Sequence, residues 1–174
     1  LLFGLQVLAG ILTVHDFVGF VIFFGYDIST LFPVVITRSW HVQLSLLWIS
    51  ACWIGGSLFV LPIIAPQQPA GQQRLIRSIF VITLLMVTGM LVGIFMGPHG
   101  LLADLWYWFG HQGWEYVELG KTWQILLAVV LVLWSITMYR GLKPAFVKGQ
   151  PWNLPNWMVY ATGSIMVLLI SGFI

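Results

Sequence analysis

Charge is what this chain has least of: 7% of its 174 residues are Asp, Glu, Lys or Arg, where ordinary globular domains carry about 25%. With 60% hydrophobic residues and a mean hydropathy of +0.98, that scarcity excludes a soluble domain and puts the chain in a lipid bilayer. Seven Lys and Arg against five Asp and Glu leave a net charge of +2, too little to hold a nucleic acid. Cysteine is nearly absent. Cys52 stands alone, so neither a disulfide nor a thiolate metal site forms within the chain. Histidine is scarce too: residues 15, 41, 99 and 111 are the whole supply, and no two are spaced to make a metal site by themselves. No charged leading region or small-residue cleavage site marks the first apolar run as a signal peptide. Leu1 and Ile174 both fall inside apolar runs, and the expectation is an internal piece of a longer membrane protein.

What the chain has instead is long apolar runs. A helix needs roughly 20 such residues to cross about 30 Å of hydrocarbon, and five stretches qualify: 1–24, 39–64, 75–97, 120–139 and 155–174. Backbone groups in lipid must be satisfied internally, and runs without strand-like alternation point to helices rather than a barrel. The expected fold is all-α, a polytopic transmembrane bundle in one domain over residues 1–174. Punctuation agrees: Asp27–Thr30 with Pro33, then Pro62, Pro66 and Pro69, then Pro98 with Gly100, then Pro144, Pro151 and Pro155. Asn153 is expected to cap the last helix, with Pro155 in its first turn. Five cationic residues (Arg74, Arg77, Arg140, Lys143, Lys148) flank the second and fourth connections, against Arg38 and Lys121 at the other two. The positive-inside rule makes the first group cytoplasmic. The N-terminal end then faces the cytoplasm and the acidic 98–119 segment faces outward.

Ionisable groups inside membrane helices are costly and are functional candidates by default. His15 and Asp16 lie about two thirds along the first run. They read either as a quinone or proton site or as polar packing partners. His41, in Arg38-Ser39-Trp40-His41-Val42-Gln43-Leu44, reads either as an axial haem ligand or as an interfacial hydrogen-bonding residue. In the outer segment, Trp106, Tyr107, Trp108, Phe109, Trp114 and Tyr116 surround Gly110-His111-Gln112-Gly113, as an interfacial aromatic belt would. Glu115 and Glu118, three apart, share a face on a helical turn. They suit a cation site or proton entry, or else a solvated start to the fourth helix. Gly89, Gly93 and Gly97, each four apart, make a smooth face for close packing.

The run Arg38–Leu44 with Leu47-Trp48-Ile49, then Leu58–Pro62, and later Trp108–Lys121 with Trp123–Leu127, resembles the quinol-dependent nitric oxide reductases of the haem-copper oxidase superfamily. The resemblance implies that His41 ligates the low-spin haem b. It also implies that Glu115 belongs with a calcium ion bridging haem propionates, and that Glu118 lies on a proton route. Calcium prefers hard oxygen ligands, so the residue type fits. His111 belongs to the shared block without a ligand role. His15 falls where these reductases have a quinol-site histidine, followed four residues later by a glutamate; here that position is Gly19.

Losing that carboxylate removes an acceptor for a quinol proton, and the site is degenerate. The departure points toward the sister branch, the nitric oxide dismutases, which convert two nitric oxide molecules to dinitrogen and dioxygen. His15–Phe20 and Gly149–Trp152 resemble that branch as well. The family's haem b3 and non-haem iron ligands are absent from this sequence and lie downstream in relatives. The expected system is therefore a bacterial inner-membrane oxidoreductase working with nitric oxide, the bilayer, the remainder of the same polypeptide and, in the reductase alternative, a membrane quinol. An alternative of another class is a cofactor-free channel or anchor module.

Overall fold

The computed structural model describes residues 1–14, 19, 25, 27–110, 119–150 and 152–173. Among these the regular structure is helical throughout: α1 (Leu2–Thr13), α2 (Val34–Ile64), α3 (Gln72–Met96), α4 (Lys121–Leu142) and α5 (Leu154–Phe173), with short helical turns at Ile28–Thr30, Ala103–Leu105, Trp106–Phe109 and Lys143–Ala145. The all-α expectation holds. Four of the helices, α2 to α5, are long and apolar enough to cross a membrane. The described part of the first expected span is α1, 12 residues long, or about 18 Å at 1.5 Å per residue. Apart from Gly19, positions 15–24 lie outside the described residues.

Helix limits follow local chemistry more closely than they follow hydropathy. α2 begins five residues before the apolar run because the carbonyl of Pro33 receives the Ile36 and Thr37 N–H groups at 2.9 and 3.3 Å. Arg38 and Ser39 are therefore helical despite their polarity. At the other end Pro62 lies inside α2 rather than beyond it. It lacks one backbone donor, but only in the last turn, where Ala65 N–H still reaches Leu61 O at 2.9 Å. α5 opens as expected. The Asn153 side-chain oxygen accepts the Asn156 N–H at 3.0 Å, and Pro155 sits in the first turn, where a missing donor costs nothing.

The chain forms two compact units. The first comprises Leu1–Ala51 and Val87–Trp123, with Ile36, Leu44, Leu47, Met90 and Ile94 buried. Here Trp40 donates its indole N–H to the Leu91 carbonyl at 3.0 Å and stacks on Phe95 with ring centroids 6.4 Å apart. The second comprises Cys52–Met86 and Gln124–Ile174, with Leu61, Ile79, Leu127, Leu131, Trp134 and Met138 buried. In it Trp134 donates to Ser57 Oγ at 2.7 Å, and Ser135 donates to Met166 Sδ at 3.1 Å. A buried indole that finds an acceptor keeps its large apolar face without an unsatisfied donor.

Candidate functional site

In unit 1, His41 of α2 makes polar contacts with Gln6 of α1. It lies early in α2 and is half-buried, with its ring against α1. The Nδ1 atom is 3.0 Å from the backbone oxygen of Gln6. A carbonyl only accepts, so this bond requires the proton on Nδ1 and leaves the lone pair on Nε2. The Gln6 side-chain nitrogen lies 3.2 Å from each ring nitrogen; with the proton on Nδ1, its N–H donates to the Nε2 lone pair.

Gly10 makes the approach possible. A Cβ on Gly10 would stand 2.7 Å from His41 Nδ1 and 2.8 Å from Cε1, closer than real contacts allow. In an α-helix the carbonyl of residue i points toward residue i+4, and a side chain there screens it. With glycine four residues after Gln6, the carbonyl is open to an imidazole arriving from a neighbouring helix. Metal-ligating histidines hold one ring nitrogen on such an acceptor so that the other faces the metal. The residue types fit a haem iron at Nε2, which would take the place of the Gln6 amide contact there.

An apolar cavity of about 260 Å³ lies beside this contact, lined by Leu5, Leu8, Ala9 and Leu12 of α1 with Trp40 and Leu44 of α2. Further along unit 1 the glycine face of α3 is filled as its spacing suggests, though by an aromatic ring and a loop carbonyl. A Cβ on Gly89 would collide with the Trp123 ring, and one on Gly93 with the Phe109 carbonyl. Trp123 in turn donates its indole N–H to that same carbonyl at 2.8 Å. The Trp106–Phe109 turn is thereby pinned to α3 and to the start of α4.

The other sequence candidates divide cleanly. His15, Asp16, His111, Glu115 and Glu118 lie outside the described residues. Gly19 has φ +69°, the left-handed region that glycine enters readily and side-chain-bearing residues avoid. His99 is exposed, with Nδ1 2.7 Å from the Phe95 carbonyl one turn back, so it closes the end of its own helix. Gln6 and Gly10 carry no mark of function in the sequence alone. Their signal is the i, i+4 spacing on α1, which acquires meaning only once the partner helix is known.

Four helices long and apolar enough to cross a membrane define the class as a multi-pass membrane protein. Over residues 1–174 the chain matches the family model described as cytochrome c and quinol oxidase polypeptide I, and it belongs to that family. No curated protein matches it.

Proposed function

We propose that the intact protein acts on nitric oxide at a haem and a non-haem iron, as a nitric oxide dismutase: two NO give N2 and O2. In this reading His41 holds haem b, which supplies one-electron transfer when bound. The Gln6 carbonyl and the space left by Gly10 would hold the imidazole by Nδ1, leaving Nε2 as the nitrogen that takes the iron. The carrying observation is the 3.0 Å contact between His41 Nδ1 and the Gln6 carbonyl, the arrangement a ligating imidazole needs. Family membership favours this oxidoreductase over a cofactor-free channel or anchor.

The substrate rests on the resemblance of Trp108–Lys121 and Trp123–Leu127 to nitric oxide reductases. The dismutase branch rests on Gly19. Its position lacks the carboxylate that would take a quinol proton, and its φ of +69° disfavours any residue that bears one. Glu115 is assigned to a calcium ion, Glu118 to a proton route, and His15 to the remnant of a quinol site. Haem b3 and the non-haem iron are assigned to the remainder of the polypeptide. The setting is a bacterial inner membrane with the N-terminal end of this stretch cytoplasmic.

The second reading is the quinol-dependent reductase, in which two NO and one quinol give N2O, water and quinone; the intact His41 and Glu115–Glu118 blocks favour it. Two experiments on the full-length protein decide. His41→Ala is expected to abolish the low-spin haem spectrum, and an unchanged spectrum would overturn the ligand assignment. Isotope-labelled NO supplied without quinol is expected to yield labelled N2 and O2. Strict quinol dependence with only N2O formed would establish the reductase instead, and turnover of neither kind would remove nitric oxide as the substrate.

A further inference from the structure

Unit 2 carries a charge imbalance that its own residues do not resolve. Its segments Cys52–Met86 and Gln124–Ile174 contain Arg74, Arg77, Arg140, Lys143 and Lys148 and not one Asp or Glu. Two of these cations, Arg140 and Lys143, line one pocket of about 530 Å³ together with Pro69, Tyr139 and Pro144. Arg140 is half-buried and spends one guanidinium donor on the Ala70 carbonyl at 3.0 Å, which fixes its head at the pocket wall. A guanidinium carries five donors in a rigid fork suited to phosphate oxygens. Lys143, exposed at the other side, adds a mobile point charge.

The pocket opens at one end of an apolar stripe. Ile125, Val129, Val132, Ile136 and Tyr139 are 55%, 40%, 42%, 43% and 46% exposed. Their spacing of four and three residues puts them on one face of α4. The residues on the opposite side, among them Leu127, Val130, Leu131, Trp134 and Met138, are buried. From Ile125 to Tyr139 the stripe runs about 21 Å at 1.5 Å per residue, longer than one leaflet's share of a hydrocarbon core of about 30 Å. Tyr139 joins the two features, with its ring on the stripe and its residue in the pocket.

We propose that this surface binds an anionic glycerophospholipid, with its phosphate on Arg140 and Lys143 and one acyl chain along Ile125 to Tyr139. Basic pockets between helices at a membrane boundary take such head groups. The apolar stripe continuous with the cations selects a lipid over a soluble anion.

The test uses the full-length protein in detergent with equimolar phosphatidylglycerol and phosphatidylcholine of identical chains, read as bound lipid by native mass spectrometry. Phosphatidylglycerol is expected to be retained preferentially. Lys143→Gln, at an exposed position where the fold is not at stake, is expected to cut that retention about fivefold, and Arg140→Gln by at least as much. Lys148→Gln, in the same connection but outside the pocket, is expected to leave it unchanged. Equal retention of the two lipids, an equal drop for Lys148→Gln, or full displacement by millimolar glycerol phosphate would each overturn the proposal. The last would reveal a free-anion site.

Discussion

Gln6 and His41 stand 35 residues apart in sequence and meet through both main chain and side chain: the imidazole Nδ1 donates to the Gln6 backbone oxygen at 3.0 Å, and the Gln6 side-chain nitrogen lies 3.2 Å from each ring nitrogen. The acceptor is main chain, so the identity of residue 6 matters less than that of residue 10, which must leave the carbonyl open. Gly10→Val is expected to drive the ring off its acceptor and lower low-spin haem content about tenfold, the scale on which supporting contacts tune metal sites. Gln6→Ala keeps the carbonyl and is expected to keep the haem spectrum. Gly4→Ala, where an added Cβ meets nothing within 4 Å, serves as the control. Haem absorbance per mole of purified full-length protein reads all three. A Gln6→Ala loss as large as that of Gly10→Val would show that the side-chain amide, not the carbonyl, holds the ring.

The two glycines of α3 make a sharper comparison, because what opposes each differs in kind. At Gly89 the obstacle is the Trp123 ring, a side chain with some freedom to tilt. At Gly93 it is the Phe109 carbonyl, main chain that already accepts the Trp123 indole N–H. Overpacking typically costs about 1–3 kcal/mol, and more where nothing can shift. Gly89→Ala is expected at the lower end of that range, and Gly93→Ala beyond about 3 kcal/mol. Thermal unfolding in detergent gives the order, and a milder effect at 93 than at 89 would contradict this packing.

How much of this was legible in the sequence depended on range. Four of the five apolar runs coincide with helices long enough to span, their limits shifted by at most five residues, since bilayer thickness sets such lengths. Asn153 and Pro155 announced the start of α5 because capping is a contact over three residues. Gly89 and Gly93 declared a close approach, but not that an indole and a carbonyl would fill it, because the occupants come from other parts of the chain. Val34 was missed as the start of α2: Pro33 fixes the entry, whereas hydropathy pointed past the polar pair Arg38 and Ser39. His41 was singled out by chemical type, yet its supports on α1 were invisible, since neither Gln6 nor Gly10 carries any signal until the two helices are placed together.

Gly19 tests the branch assignment from the backbone side. In the proposed reading Gly19→Glu would supply the carboxylate that a quinol site needs, but at φ +69°. The left-handed region costs a side-chain-bearing residue about 1–2 kcal/mol. The expected outcome is a lower unfolding temperature and no gain of quinol-dependent N2O formation in the full-length enzyme. Appearance of quinol-driven turnover would show that the missing carboxylate alone separates this protein from the reductases.

Gln72 supplies a prediction that runs against the usual sign. It is 4% exposed and donates its side-chain N–H to the Thr137 carbonyl at 2.7 Å. Gly141 makes room for it, since a Cβ there would be 2.9 Å from Gln72 Nε2. The other end of the amide fares worse: Gln72 Oε1 is buried with no hydrogen-bond partner among the described residues. A buried unsatisfied acceptor costs about 1–3 kcal/mol, against about 1 kcal/mol gained from an ordinary hydrogen bond. Methionine nearly matches glutamine in length and fills irregular apolar gaps. Gln72→Met is therefore expected to hold or raise stability, by up to about 1 kcal/mol. Gln72→Glu turns a carboxylate toward the Thr137 carbonyl, and it is expected to cost more than about 3 kcal/mol. Thermal unfolding of the two variants checks both signs. A methionine variant less stable than the parent by more than about 1 kcal/mol would mean that Oε1 is satisfied in the intact protein.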